Sequence, residues 1–458
     1  MLADSAERNR YLDLLRVSAL IVVVLGHWLL TDITYSGGQL SGLDALKFIS
    51  WGRWLTLPLQ VMPVFFLVGG YVNAGSWLQH RDRGGRWADW VRHRALRLLW
   101  PTTIYIAAGG LAAGGAALAG VGATELSRAA WFVALHLWFL PVYLLLVMLT
   151  PALHAAHQRW GLAVPALMAV AAGLVDIAVL GPHIPVLGFA NYLLVWGSAH
   201  QWGFAWRDGR LANPLWRPLA LAGAGSLALV GLLGWGPFPV DMIGAGGKVQ
   251  NTGPPSVALL SLAAVQAGLL IAAEPAGRRL LARARYWRPV SRLNDAAMTI
   301  YLWHMAPVIV LAVLLYPTGI APQPRLGSAA WWALRPAWLL VLGVIFTLIV
   351  LAAGRFERAP WHPSPGARWA GAPVLLGIVA VMVAVTKIAI SGFAPGGRLP
   401  LLIFAGYAIG FALAVAVGGV SGASVAARAA PEPDADAADR AQPGGAAGSG
   451  VPRTRRPR

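Results

Sequence analysis

The sequence predicts an all-α polytopic membrane protein of about 12 transmembrane helices, with both termini cytoplasmic. Three observations carry this. Apolar runs of about 20 residues recur along the chain, each long enough to cross a hydrocarbon core of about 30 Å. The 458 residues are 57% hydrophobic and 12% charged, with a mean hydropathy of +0.62, where a soluble domain carries about twice that charge fraction. Basic residues gather in alternate loops. The runs lack the dyad alternation of barrel strands, so the spans are helices.

The expected spans are 11–30, 55–78, 98–120, 131–151, 162–181, 186–206, 215–236, 256–274, 295–316, 332–353, 372–391 and 400–420. With the N-terminus inside, the inward segments hold 28 of the 36 Lys and Arg and the outward segments 8. That bias follows the positive-inside rule and favours an even number of helices, N-in and C-in. The first run is too long for a signal-peptide core and carries Asp13 and Arg16 at its start, so it reads as an uncleaved anchor. Residues 426–458 contain almost no large apolar side chain and read as a disordered basic cytoplasmic tail.

The net charge is +18. Because this charge sits in short loops, topology accounts for it and no nucleic-acid partner is expected. The absence of cysteine excludes thiolate nucleophiles, disulfides and thiolate metal sites. No phosphate-cradling Gly loop and no serine nucleophile elbow occurs.

The first span, RYLDLLRVSALIVVVLGHWLL, opens with Asp13 and Arg16 and carries His27 near its far end. Eleven residues at 1.5 Å put Arg16 and His27 on one helical face, roughly 16 Å apart. Asp13 lies one turn before Arg16, a spacing that allows an ion pair. A packing role for His27 and a snorkelling role for Arg16 explain each residue singly but leave their alignment to chance. Ionisable groups at membrane depth are functional candidates. Arg94 and Arg97 stand where the third span enters the membrane and suit forked bonds to a phosphorylated ligand. His136 in HLWFLPVY and His304 in MTIYLWHMAPV lie in apolar surroundings, with Trp138 and Tyr301 beside them, and His200 has no motif around it. A metal site built from His27, His136 and His304 is the minor reading, since no paired ligand spacing supports it.

These residues resemble the acyltransferase family 3 integral membrane proteins. RYLDLLRVSALIVVVLGHW (10–28) is similar to the family's first helix, with ten residues between Arg16 and His27 and the acid Asp13 before them. MPVFFLVGGYV (62–72), RALRLLWP (94–101), HLWFLPVYL (136–144) and IYLWHMAPV (300–308) resemble its later motifs in the same order. The resemblance implies a ten-helix acyltransferase core over 1–360, followed here by two additional spans in 361–425. Some members carry an esterase-like domain in that place.

The resemblance further implies transfer of an acyl group, often acetyl, from cytoplasmic acyl-CoA to a hydroxyl of a glycan, glycolipid or small molecule in the bacterial cell envelope. Acyl-CoA would be a substrate, with no permanently bound cofactor and no metal, and membrane lipids would be partners. His27, Arg16 and Asp13 become the catalytic candidates. His27 would act as general base or through a transient acyl-imidazole. Arg94 and Arg97 would bind the donor, and His136, Trp138, Tyr301 and His304 would orient the acceptor or stabilise an oxyanion. The competing reading is a transporter or lipid flippase with His27 and Arg16 as a relay.

Overall fold

The computed structural model describes residues 9–37, 39–244, 246–359, 361–363, 371–416 and 420–422. The tail expected over 426–458 lies outside the described residues. The first helices are α1 (Arg10–Leu30), α2 (Gly52–Leu59), α3 (Met62–Asp82), α4 (Trp87–Leu118), α5 (Ala123–Phe132), α6 (Phe139–Trp160), α7 (Ala163–Leu180) and α8 (Ala190–Arg207). They are followed by α9 (Trp216–Gly234), α10 (Val257–Leu281), α11 (Ala284–Asp295), α12 (Ala297–Trp303), α13 (Ala306–Leu315), α14 (Ala329–Ala353), α15 (Gly371–Ser391) and α16 (Leu401–Ala416). A hairpin of β1 (Thr31–Ser36) and β2 (Gln39–Asp44) follows α1, with Thr31 opposite Asp44.

Each of the twelve expected stretches carries helix, but they are less uniform than expected. Among the described residues, eight helical segments are long and apolar enough to cross a membrane. A ninth, α12 with α13, is bent by 42° at a break where Pro307 at the start of α13 cannot donate a backbone N–H. α16 is apolar but short. α4 and α8 are absent from the eight for compositional reasons. α4 opens with WADWVRHRALR and ends in Gly and Ala. α8 carries Asn191, His200 and Gln201 and is buried from Val195 to Trp206, so its neighbours are protein rather than lipid.

Backbone contact explains how α8 is buried. A Cβ on Gly70 of α3 would meet the His200 carbonyl, and one on Gly203 would meet the Leu67 carbonyl. Small residues at these positions let the two helices touch along their backbones.

Polar contacts sort the helix ends. At the start of α1, Tyr11 Oη donates to the Leu270 carbonyl (2.8 Å) and Asn9 Nδ2 to Glu274 (2.9 Å), which also accepts from Trp206 Nε1 (2.6 Å). The ends of α8 and α10 therefore flank the start of α1. His157 Nε2 lies 2.8 Å from Asp208 Oδ2, which brings in the end of α6. Burial pushes the Asp208 carboxyl up, but the His157 bond and the Arg210 N–H outweigh it and hold Asp208 below the usual carboxylate range. Arg92 on α4 donates to the Ala414 and Val415 carbonyls at the end of α16, both at 2.7 Å. Glu357, past α14, accepts from the N–H groups of Met298 (3.0 Å) and Thr299 (2.7 Å) at the start of α12. These contacts group the start of α1 with the ends of α6, α8 and α10, the start of α4 with the end of α16, and the start of α12 with the segment after α14.

The core is continuous with the C-terminal helices. Val374, Ile378, Val381, Val385 and Ile388 of α15 are buried in one cluster with Leu99 of α4, Leu140 of α6 and Leu137, in the short 3-10 turn Leu135–Trp138. That turn carries His136.

Candidate active site

A cavity of about 1790 Å³ is lined from Asn9, the residue that caps the start of α1, to Leu30 at its end. It therefore follows the whole helix, about 30 Å at 1.5 Å per residue. Arg16, Arg94, Arg97, Arg207 and Arg358 line the end where α1 begins, with Asp13, Asp82, Asp295 and Glu357 among them. His27, His136, Trp138 and Tyr301 line it deeper in.

At the charged end, Arg16 Nη1 lies 3.7 Å from Asp13 Oδ1 and donates to Asn294 Oδ1 at 3.0 Å. The ion pair expected from the one-turn spacing is therefore present at long range, and the shorter bond goes to a residue 278 positions away. Arg94 donates to Asn73 Oδ1 and also bonds Tyr143, and the charges of Arg97 and Arg16 act on it. The Asn73 amide nitrogen is 3.1 Å from His200 Nε2. Because α3 and α8 touch at Gly70 and Gly203, His200 stands where it can brace Asn73, and Asn73 where it can hold Arg94. Glu357 does not pair with these arginines; it closes the first turn of α12, where free backbone N–H groups favour an anion.

Three imidazoles meet in the middle of the molecule. The rings of His27 and His304 are 5.0 Å apart between centroids and those of His136 and His304 are 4.8 Å apart, each pair tilted by about 60°. His27 Nδ1 is 2.8 Å from the Val23 carbonyl of its own preceding turn. A carbonyl only accepts, so Nδ1 carries the proton and Nε2 keeps its lone pair. His304 does the same with the Tyr301 carbonyl at 2.7 Å, and its Nε2 is buried without a partner. His304 sits in the break between α12 and α13, and its carbonyl accepts from Trp28 Nε1 at 2.6 Å. Tyr301 stands edge-on to His136 (5.3 Å) and donates its hydroxyl to the His136 carbonyl at 2.7 Å. Among the described residues, no group of three or more His, Cys, Asp or Glu is arranged to hold a metal ion.

The cavity brings together Asp13, Arg16, His27, Arg94, Arg97, His136, Trp138 and Tyr301; His304 lies behind them, against His27 and His136. Sequence reasoning missed Asn73, Tyr143, Asn294, Arg207 and Glu357, and saw no role for His200. Two of these carried a signal. Asn73 ends an otherwise apolar run, and Glu357 is the sole carboxylate between Asp295 and Glu432. The others depend on helix packing that no local pattern encodes.

Among known protein families, one described as an acyltransferase domain matches residues 9–355, well over half of the chain. No curated protein and no solved structure matches the chain.

Proposed function

The chain belongs to acyltransferase family 3 and is a membrane acyltransferase, and from that premise we propose that it moves an acyl group, acetyl above all, from cytoplasmic acyl-CoA to a hydroxyl of an extracytoplasmic or membrane-associated glycan, glycolipid or secondary metabolite. The observation that supports this is the single cavity along α1, with arginines at one end and His27 deep inside. The face that holds the arginines is taken as cytoplasmic from the bias of loop charge, in a plasma membrane with both termini inside.

The nucleotide phosphates of acyl-CoA bind Arg16, Arg94 and Arg97 by charge-assisted bonds. The pantetheine arm follows α1 and brings the thioester to His27, whose reach from Arg16 is roughly 16 Å. The acceptor oxygen attacks the thioester carbonyl while His27 Nε2 takes its proton. The C–O bond of the new ester forms and the C–S bond breaks. The imidazolium returns the proton to the departing thiolate, which leaves as CoA thiol. Asp13 steadies Arg16, and His136, Tyr301 and Trp138 line the space in which the acceptor turns its hydroxyl to His27. Residues 1–360 form the catalytic core, and 361–425 supply the two C-terminal helices.

The test is transfer of label from radiolabelled acetyl-CoA in inverted membrane vesicles, comparing wild type with His27→Ala at matched expression. The variant inserts normally and loses transfer by about a hundredfold or more. Unimpaired transfer by His27→Ala overturns the assignment. A transporter using His27 and Arg16 as a relay gives no labelled product with either protein.

A further inference from the structure

The wall of the cavity is divided by charge. Among the described residues, every Asp, Glu, Lys and Arg on it belongs to the end where α1 begins. Past His27 the wall is uncharged, with Trp51, Trp331 and Trp332 among aliphatic neighbours. Trp51 and Trp332 stack with centroids 5.8 Å apart and planes 29° apart. Trp331 stands perpendicular to Trp332 at 4.8 Å. Trp51 is 57% exposed and Trp332 41%, so both keep ring surface open.

This corner is fixed in place. Trp331 is buried, its Nε1 donates to Asp32 Oδ1 at 2.7 Å, and the Arg335 guanidinium lies 3.6 Å from its ring centroid. Asp32 neutralises Arg335 at 2.6 Å, so this guanidinium is not a free cation. Thr31 Oγ1 bonds the His27 carbonyl at 2.7 Å. The Asp32 that holds Trp331 is thus little more than one helical turn, roughly 5–8 Å, beyond the imidazole. The neutral polar groups nearby are already used. Gln60 donates to the Met242 carbonyl and accepts from Met62, and Thr56 accepts from Met242 N–H. What remains to recognise a ligand is aromatic ring surface.

We infer that Trp51, Trp331 and Trp332 form an acceptor subsite for an uncharged glycosyl ring, which lies by its C–H face on the Trp51–Trp332 platform and turns a hydroxyl toward His27. The inference rests on acyl transfer at His27. Among the described residues, an anionic sugar or a phosphorylated headgroup meets no Lys or Arg on the wall of this half of the cavity and bears the cost of desolvating its charge. A flat aromatic platform with its polar neighbours occupied suits a ring that is apolar on its face and polar at its rim. Ordinary interfacial tryptophans anchor a protein by facing headgroups; these three line the cavity, with Trp332 against both of the others.

The experiment uses purified full-length protein in a sugar-free detergent, with both faces accessible. It follows CoA release from acetyl-CoA alone and ester formation on four acceptors: methyl glucoside, its uronic acid, and the same two sugars on an alkyl chain. In the wild type, the neutral glucosides are acetylated and the uronic acids are not. A preference for the alkyl forms identifies a lipid-borne source, and equal use a soluble one. Trp51→Ala with Trp332→Ala raises the acceptor KM about tenfold or more. The acetyl-CoA KM and acceptor-free CoA release stay unchanged, and phenylalanine at both positions restores most of the affinity. An unchanged acceptor KM, equal use of the uronic acids, or CoA release with no neutral glucoside acetylated overturns the subsite while leaving acyl transfer in place. No CoA release under any condition overturns acyl transfer itself and the subsite with it.

Discussion

The proposed role of His27 as a base through Nε2 needs the tautomer protonated at Nδ1, and its own helix selects it. The bond from Nδ1 to the Val23 carbonyl directs the lone pair to Nε2, and Val23 is one turn back, so any shift of the ring must break a bond within α1. His304 repeats the device with Tyr301. The two rings thus have defined donor and acceptor edges before any ligand arrives, which is what a base needs if it is not to reorganise during reaction. His136 is steadied from outside instead. Its carbonyl takes the Tyr301 hydroxyl at 2.7 Å, and Tyr105 meets its ring edge-on at 5.8 Å. Tyr301→Phe removes that hydrogen bond and keeps the ring. The loss is about 1 kcal/mol of local stability. The expected result is a fall of roughly five- to tenfold in kcat with the acetyl-CoA KM unchanged, measured beside a thermal melt. A fall in melting temperature without a change in kcat assigns Tyr301 to packing alone.

At the scale of elements, α1 is held at both ends, and only one end was legible in the sequence. The Arg16–His27 spacing, the Asp13 pair and the ordered motifs are local patterns, and each placed its residues on the cavity or against it. Arg335 was legible only as a cation in an apolar run and was counted among the outward charges. In the structure it is 8% exposed and bonds Asp32 and the Thr31 carbonyl just past the end of α1. Its partner is 303 residues away, a distance at which periodicity carries no information. The break at His304 was likewise read as one continuous span, because Pro307 within an apolar run marks a boundary without giving the bend. Trp338 Nε1 donates to the Trp28 carbonyl at 3.0 Å and Trp28 Nε1 to His304, so α14, α1 and the break are tied together at the level of the imidazoles. Removing one partner of a buried ion pair leaves the other charge exposed to the low dielectric, at about 3–5 kcal/mol. Arg335→Ala and Asp32→Asn therefore each lower the melting temperature, Asp32→Asn the less because it keeps an oxygen for Trp331 Nε1 and the guanidinium. Tryptophan-fluorescence melts in detergent test this; a melt unchanged from wild type in either variant counts against a charged latch.

At the scale of the molecule, sidedness decides whether the chemistry works. The start of α1, the start of α4 and the ends of α8 and α10 share one face through Tyr11, Asn9, Arg94 and Trp206, and the uncharged tryptophan corner lies at the other end of the same cavity. If the arginine face is cytoplasmic, donor and acceptor reach His27 from opposite sides of the membrane, and no part of the protein need carry either across. If it is not, the arginines face away from the compartment that holds acyl-CoA, and the length of the cavity serves no purpose. The absence of native cysteine makes the question directly measurable. Single cysteines at the exposed positions Gln158 and Ala284 report the arginine face, and those at Ala119 and Gln250 report the opposite one. A membrane-impermeant maleimide applied to intact cells labels Ala119→Cys and Gln250→Cys, and labels Gln158→Cys and Ala284→Cys only in inverted vesicles. The reverse pattern places the arginine cluster outside and removes the route by which cytoplasmic acyl-CoA reaches the imidazoles. A mixed pattern, with both members of one pair labelled and the other pair split, locates the helix whose crossing the charge bias misassigns, and α4, α8 and α16 are where composition makes that crossing weakest.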